Sequence, residues 1–118
     1  MQKGKTGALR EKILAIKDIK SEQVHVADWG VTVEVRGMTG RQRAILLQNA
    51  VNARGRMDLQ IMYPRLVMES TFDPETGERV FGEGDIDAIA EKSGGALETI
   101  AQVAVRLSGL NTEEPEKN

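Results

Sequence analysis

The feature that most constrains the fold is a run of valines that alternate with polar residues on both sides of a short turn. The alternating residues are Val24, Val26, Val31, Val33 and Val35. Period-two alternation of β-branched residues predicts two strands with one apolar face, and the Asp-Trp-Gly at positions 28–30 favours a turn. We therefore expect a β-hairpin over residues 22–36. A lone hairpin is marginal in water, so its valine face must pack on helices.

Apolar residues recur at helical spacing in the rest of the chain and predict five helices. They cover residues 7–17, 40–54, 59–71, 83–92 and 94–108. The expected N-caps are Thr6, Thr39, Asp58 and Ser93. Gly109 followed by Leu110 predicts a left-handed C-cap with an apolar clasp. The predicted fold class is α+β and mostly α, a small helical domain of about five helices with one N-terminal β-hairpin. The first helix is short and needs docking to persist.

Pro64 leaves residues 64–72 open to two interpretations, because proline kinks a helix or starts one. Apolar spacing favours a helix. In the alternative, residues 66–72 form a strand that pairs with residues 79–81. A turn is expected at residues 73–77 (Asp-Pro-Glu-Thr-Gly).

At 118 residues the chain is most simply one domain, expected over residues 1–110, with a disordered acidic tail at 111–118. There is no cysteine, which excludes disulfide scaffolds, cysteine zinc sites and cysteine nucleophiles. No apolar run is long enough to span a membrane, and the first residues lack a signal-peptide core. We therefore expect a cytoplasmic protein.

The net charge of −2 hides segregated charges. Residues 1–20 carry six Lys/Arg against two acids, residues 36–56 carry five Arg and no acid, and residues 69–98 carry nine acids against Arg79 and Lys92. The segments thus have net charges of +4, +5 and −7. Such poles allow head-to-tail association or separate partners. In the alternative, the poles face each other within one fold.

No residue set predicts catalysis, cofactor binding or a metal site. His25 is the single histidine and points away from Val24 and Val26, without an oriented partner. The acids at 73–78 lack the ligand spacing of a calcium loop, and acids at 85 and 87 suit a helix N-terminus. We predict a protein that is not an enzyme.

A binding surface is the remaining expectation. Apolar residues off their helix's core face, together with the tryptophan at the hairpin tip, are candidates for contact with a partner: Trp29, Ile45, Ile61 and Met68. In the alternative, Ile61 and Met68 lie on a helix buried on both sides. Four arginines could also bind a partner, or phosphates of a nucleic acid: Arg41, Arg43, Arg54 and Arg56. They share no helix face and no aromatic interleaves with them, so nucleic-acid binding is the less favoured alternative.

Several motifs occur in a characteristic order: LREKIL at 9–14, DWGV at 28–31, VRGMT at 35–39, DPETG at 73–77, and KS at 92–93 leading to RLSGL at 106–110. Taken together over residues 8–110, they resemble the small tail assembly chaperones of long-tailed (siphovirus-type) bacteriophages. That family defines no catalytic residues to carry over.

The resemblance implies a chaperone that acts in the cytoplasm of the infected host cell and is absent from the mature virion. It implies binding to the tape measure protein, whose apolar helical segments it keeps soluble, and help in recruiting tail tube protein subunits. Self-association is also implied, as is a longer product made by ribosomal frameshift. The last three residues, Glu-Lys-Asn at 116–118, can be encoded as GAA AAA AAC, which contains a slippery heptamer.

Overall fold

The computed structural model describes residues 4–56 and 58–110. In chain order the elements are α1 (Gly4–Ala15), β1 (Ser21–Val26), β2 (Val31–Arg36), α2 (Gly40–Asn49), α3 (Leu59–Ser70), β3 (Thr71–Phe72), a 3₁₀ turn (Glu83–Asp85), α4 (Ile86–Ala90) and α5 (Gly94–Ser108). The predicted class, α+β and mostly helical with one hairpin, is confirmed. No helix in the described part of the chain is both long and apolar enough to cross a membrane. The predicted tail at 111–118 lies outside the described residues.

The sheet has three antiparallel strands in the order β1-β2-β3. In the hairpin Val24 pairs with Val33 and Val26 with Val31, so the valines share one face. The backbone carbonyl of Val26 accepts from the N–H groups of Trp29 and Gly30, which closes the turn. The hairpin predicted at 22–36 is confirmed, and it begins one residue earlier.

The valine face packs on α5, which supplies the opposite half of the core. Val26 and Val35 are fully buried, as are Ile100 and Ala104 of α5. The six-residue strands are about 20 Å long, and the 15-residue helix α5 is about 22 Å long. The two elements therefore match in length. Helix α3 packs in turn on α5, α4 and α2.

Polar contacts fasten both ends of the hairpin to α5. At the tip the Ser93 hydroxyl donates to Oδ2 of Asp28 (2.7 Å) and accepts from the N–H of Ala96 (3.3 Å). At the base the N–H of Met38 donates to Oγ of Ser108 (2.9 Å). Ser93 is thus the α5 cap that the sequence predicted, and it also holds the turn of the hairpin.

The base of the hairpin also approaches α5 through a glycine. A Cβ atom at Gly37 would lie 2.6 Å from the carbonyl oxygen of Leu107 and 3.0 Å from its carbonyl carbon. Nearby, Arg106 pairs with Glu22 of β1 (3.0 Å). The predicted C-cap of α5 is confirmed, since Gly109 has φ +68° and Leu110 behind it is buried.

Helix α2 begins where the sequence predicts and ends five residues early. Its N-terminus is a capping box, in which Thr39 Oγ1 accepts from the N–H of Gln42 (3.1 Å) and Gln42 Oε1 accepts from that of Thr39 (2.9 Å). The early end has a local cause: Oδ1 of Asn52 accepts from the N–H groups of Arg54 and Arg56 (2.9 and 3.1 Å). Asparagine side chains compete in this way with helical hydrogen bonds.

The favoured interpretation of residues 64–72 holds as far as Ser70, because α3 runs through Pro64. The alternative, a strand over residues 66–72, holds only for the last two of these residues. Thr71 and Phe72 form β3, which pairs with Val35 and Glu34, and Phe72 also bridges to Arg79. The predicted turn follows, with Oδ1 of Asp73 accepting from the N–H of residue 75 (2.8 Å).

Two other helices also differ from their predicted bounds. The first helix begins by Gly4, so Thr6 lies inside it and is not its cap. The helix predicted at 83–92 is a 3₁₀ turn followed by five α-helical residues. Gly82 has no side chain to cap this start, and Asp85 Oδ2 accepts from the Gly82 N–H instead (2.8 Å).

Replacing Gly37 by alanine should destabilise the fold. The new Cβ would meet the backbone of Leu107, which gives way only if the hairpin moves off α5. We expect the free energy of unfolding in urea to fall by about 1–3 kcal/mol. Gly40→Ala is the matched control, because no atom lies within 4 Å of a Cβ there. Equal losses in the two variants would contradict the close approach.

Replacing Ser93 by alanine should also lower the free energy of unfolding. The change removes both the α5 cap and the bond to Asp28, and loss of a cap costs about 1 kcal/mol, up to 2. Thr99→Ala is the control, since Thr99 is exposed in the same helix and its hydroxyl only donates to a helical carbonyl. Urea unfolding that shows no difference between them would argue against the fastening at the tip.

Candidate functional site

The histidine and the acids of the described residues do not gather into a metal site. No group of three or more His, Cys, Asp or Glu side chains among them could hold a metal ion. His25 is exposed, and its Nδ1 lies 3.2 Å from Oγ1 of Thr32 on the outer face of the hairpin. The candidates that remain from the sequence are the exposed apolar and basic side chains.

The four apolar candidates separate into three environments. Ile45 and Ile61 are 44% and 39% exposed, so both remain available to a partner. Met68 is only 3% exposed and belongs to the core, so it is withdrawn as a partner-binding residue. For Met68 the alternative holds, because α3 packs on α5, α4 and α2, whereas Ile61 at the other end of the same stripe stays exposed. Trp29 is half-buried and lies at the edge of the core.

The arginine candidates do not lie on one helix. Arg41 and Arg43 are in α2, whereas Arg54 and Arg56 follow it in the loop. All four are exposed, and none pairs with an acid among the described residues.

Arg36, the fifth arginine of the stretch at 36–56, is engaged within the fold. It pairs with Glu34 (3.0 Å) and lies over the ring of Phe72, 4.0 Å from its centroid. The surface of the stretch from 36 to 56 is thus less basic than its sequence suggests, which weakens the nucleic-acid alternative.

A groove opens beside the tip of the hairpin, next to the N-terminus of α5. We call it the tip groove. It has a volume of about 550 Å³ and is lined by Trp29, Val80, Phe81, Asp85, Ala88, Ile89 and Lys92. Trp29 comes from the hairpin turn, while the other residues come from the segment at 80–92. Most of its lining is apolar, so it is suited to an apolar side chain or helix.

The segment at 83–92 is acidic, but only Asp85 and Lys92 of its charged residues line the tip groove. Its four exposed acids are Glu83, Asp85, Asp87 and Glu91, against Lys92. Glu83 pairs with Arg65 (3.1 Å), and the other three have no ion-pair partner among the described residues. The lining of the groove itself thus has no net charge, and its apolar residues are what it offers a ligand.

Sequence reasoning found Trp29 but missed the rest of the tip groove. Phe81 and Ile89 lie far from Trp29 along the chain, and only the packing of the 80–92 segment against the hairpin turn brings them together. The available signal was a tryptophan at a hairpin tip, which needs an apolar neighbour that the hairpin itself cannot supply.

Helix α1 presents a second apolar surface. Leu9, Ile13 and Ile16 share one face at helical spacing, and each is more than half exposed. We call these three residues the α1 stripe. None of the residues of α1 is buried, so the docking that the sequence demanded is not provided within the described chain.

The basic and acidic segments of the chain are not joined by ion pairs. Among the described residues, none of the ion pairs joins residues 4–20, or the four candidate arginines, to the acids of 69–98. The alternative in which the poles neutralise each other inside one fold thus has no ion pair to support it in this part of the chain.

Comparisons with known proteins reveal a likeness of fold. No protein-family model matches the chain, and no curated protein matches it. Among solved structures, the tail assembly chaperone of bacteriophage HK97 has a similar fold, with a TM-score of 0.61 and 18% sequence identity. The alignment covers 96% of this chain and 99% of that one. At this identity the likeness shows a shared fold across nearly the whole length of both chains.

Proposed function

We propose that this chain is a tail assembly chaperone of a long-tailed bacteriophage and has no enzymatic activity. The observation that carries the proposal is the shared fold with the HK97 tail assembly chaperone over nearly the full length of both proteins. The ordered motifs in the sequence lead to the same family independently. The exposed apolar and basic side chains on a chain without a clustered metal or catalytic centre in its described residues also favour a binding role.

In this proposal the ligand is the tape measure protein. A long chain of amphipathic helices exposes apolar stripes before the tail tube surrounds it, and such stripes aggregate unless they are covered. A chaperone binds them through apolar anchors on its own surface, in the manner of a helix held in a groove. The action takes place in the host cytoplasm, and the chaperone leaves before the virion is complete.

The surface we propose for the tape measure protein lies on α2 and α3. These two helices pack against each other, and each presents an exposed isoleucine, Ile45 on α2 and Ile61 on α3. Arg41 and Arg43 share α2 with Ile45, which adds charge that can meet acids of a helical ligand. Tail tube subunits are recruited in this proposal by a longer frameshifted product, which the codons for residues 116–118 permit or exclude.

Co-expression with the tape measure protein encoded just downstream tests the proposal. We expect the tape measure protein to remain soluble only with this chain, in a complex with many copies of it, by size-exclusion chromatography with light scattering. Ile45→Asp and Ile61→Asp should each reduce the soluble fraction severalfold, because a carboxylate replaces an apolar anchor that is worth about 1.5–3 kcal/mol when buried.

Leu14→Asp is the control for these variants, because Leu14 is an equally apolar, exposed side chain that belongs to α1 and not to α2 or α3. The proposal fails if the tape measure protein aggregates whether or not the wild-type chain is present. A salt-dependent affinity for DNA or RNA, lost on changing Arg41 and Arg43, would then support the nucleic-acid alternative.

A further inference from the structure

The four exposed arginines at 41, 43, 54 and 56 have no acidic partner in the described fold. The segment at 37–56 contains these four and no acid, so its net charge is +4. None of them forms an ion pair with a described acid, although the chain carries 18 Asp and Glu residues. Arginines that stay unpaired in such a chain are available to acidic groups of a ligand.

Two of these arginines lie in a loop whose backbone is fixed by hydrogen bonds. We call residues 52–56 the arginine loop. Oδ1 of Asn52 accepts from the N–H groups of Arg54 and Arg56 (2.9 and 3.1 Å), and the N–H of Asn52 donates to the carbonyl of Arg56 (2.7 Å). Gly55 completes the turn with φ +78°, and its N–H donates to the carbonyl of Asn52 (2.9 Å). The backbone is thus set before a ligand arrives, while Arg54 and Arg56 remain exposed.

The arginine loop stands at the junction of the two helices that carry the exposed isoleucines. The N–H of Asp58 donates to the carbonyl of Ala50 (2.6 Å), which joins the end of α2 to the residue before α3. Ile45 lies within two turns before Ala50, and the N–H of Ile61 donates to the carbonyl of Asp58 (3.1 Å). The surface proposed for the tape measure protein therefore includes the arginine loop.

The opposite end of α2 supplies a further arginine on the side of Ile45. At about 100° per residue, Arg41 lies about 40° from Ile45 around the helix and one turn before it, whereas Arg43 lies about 160° away. Helix α2 has 10 residues and is thus about 15 Å long. Basic groups therefore flank Ile45 along α2, with Arg41 at one end and the arginine loop at the other.

We infer that this surface selects amphipathic helices whose apolar stripe is flanked by aspartate or glutamate. The flanking carboxylates pair with Arg41, Arg54 and Arg56, since a guanidinium binds a carboxylate through two parallel hydrogen bonds. The acids of such a helix stand about three turns apart, because 15 Å of helix holds about 10 residues. The inference rests on the proposed function for the identity of the ligand, the tape measure protein, and on these charges for its chemistry.

The arrangement favours a protein helix over a nucleic acid. The segment at 37–56 contains no aromatic residue, so bases find no ring there to stack on. Ile45 and Val51 are 44% and 38% exposed among the arginines, and a phosphate backbone offers them no apolar contact. An acidic amphipathic helix satisfies both the aliphatic side chains and the guanidinium groups.

Three designed peptides test the selectivity for acids. Each has about 20 residues, enough to form a helix in water, and the same leucine stripe, flanked by glutamate, by glutamine or by lysine. We expect the glutamate peptide to bind the full chain about 10-fold more tightly than the glutamine peptide, and the lysine peptide to bind most weakly. Fluorescence anisotropy of labelled peptides measures this order, and the preference should shrink as salt is raised.

A charge reversal in the arginine loop tests the residues that carry the selectivity. The double variant Arg54→Glu, Arg56→Glu should bind the lysine peptide more tightly than the glutamate peptide. Arg10→Glu with Lys12→Glu is the matched control, because both residues are exposed on α1 and the net charge changes by the same amount. This control should keep the order of the wild-type chain.

Asn52→Ala tests the preformed loop, because it keeps every arginine and removes the two bonds that fix their backbone. We expect the affinity for the glutamate peptide to fall severalfold, while that for the glutamine peptide stays unchanged. A merely structural role of Asn52 would weaken both peptides equally. If this variant fails to fold, Gly55→Ala replaces it, since a side chain at φ +78° strains the same loop.

Co-expression separates this inference from the proposed function. If the wild-type chain and the Arg54→Glu, Arg56→Glu chain keep the tape measure protein equally soluble, the inference is wrong and the proposed function stands. If the tape measure protein aggregates with the wild-type chain although the glutamate peptide is preferred, the proposed function fails and the selectivity for acidic helices stands.

Four further results would overturn the inference. One is equal affinity of the wild-type chain for the three peptides. Another is loss of the glutamate preference in the α1 control. A third is equal weakening of the glutamate and glutamine peptides by Asn52→Ala. The last is a mixed-sequence DNA duplex that binds more tightly than the glutamate peptide at the same salt and loses that affinity in the Arg54→Glu, Arg56→Glu chain, which indicates a nucleic-acid surface.

Discussion

Four valines of the hairpin are buried against one face of α5, and this apolar contact joins parts of the chain that lie some 70 residues apart. Each buried valine contributes about 1.5–3 kcal/mol relative to exposure, which is large beside the marginal stability of a small domain. Neither element is stable alone, since a hairpin in water is marginal and a helix of this length is little better. Helix α3 packs on α5 and also contacts α2 and α4, and β3 directly after it pairs with β2.

The same contact gives the molecule its direction. Ser93 holds the turn of the hairpin at the N-terminus of α5, and Gly37 and Ser108 hold its base at the C-terminus. The tip groove is formed at the first end, where Trp29 meets the segment at 80–92. The segment leading from α1 enters at the second end. The tip groove and the segment leading from α1 therefore lie at opposite ends of the core.

Local patterns carried most of the fold. The valine alternation, the capping residues Thr39 and Ser93, and the Gly109 cap each depend on neighbours within four residues, and each was predicted from the sequence. The predictions that failed concern residues whose environment is set by segments distant in the sequence. Whether Met68 faced a partner or the core depended on how many helices pack on α3, and the pairing of Thr71 with Val35 depended on where α3 brings the chain. The early end of α2 was local, but Asn52 could equally have faced solvent within a longer helix.

The candidate surfaces were predictable to a lesser degree. The exposure of Ile45 and Ile61 could be predicted from the sequence, because the position of a residue around a helix depends only on its spacing from the core residues. The tip groove could not, since it joins the hairpin turn to residues more than 50 positions away. The shared fold with a phage tail assembly chaperone accords with the motif order, although the identity between the two chains is only 18%.

The two ends of the hairpin are held to α5 by different kinds of contact, and this has a consequence for how the core can open. At the tip the contact is a side-chain hydrogen bond from Ser93 to Asp28, which can break while the backbone stays in place. At the base Gly37 lies directly against the backbone of Leu107, so the two elements separate there only if whole segments of backbone move. Local opening of the core is therefore expected to begin at the tip and to widen the tip groove before it reaches the base.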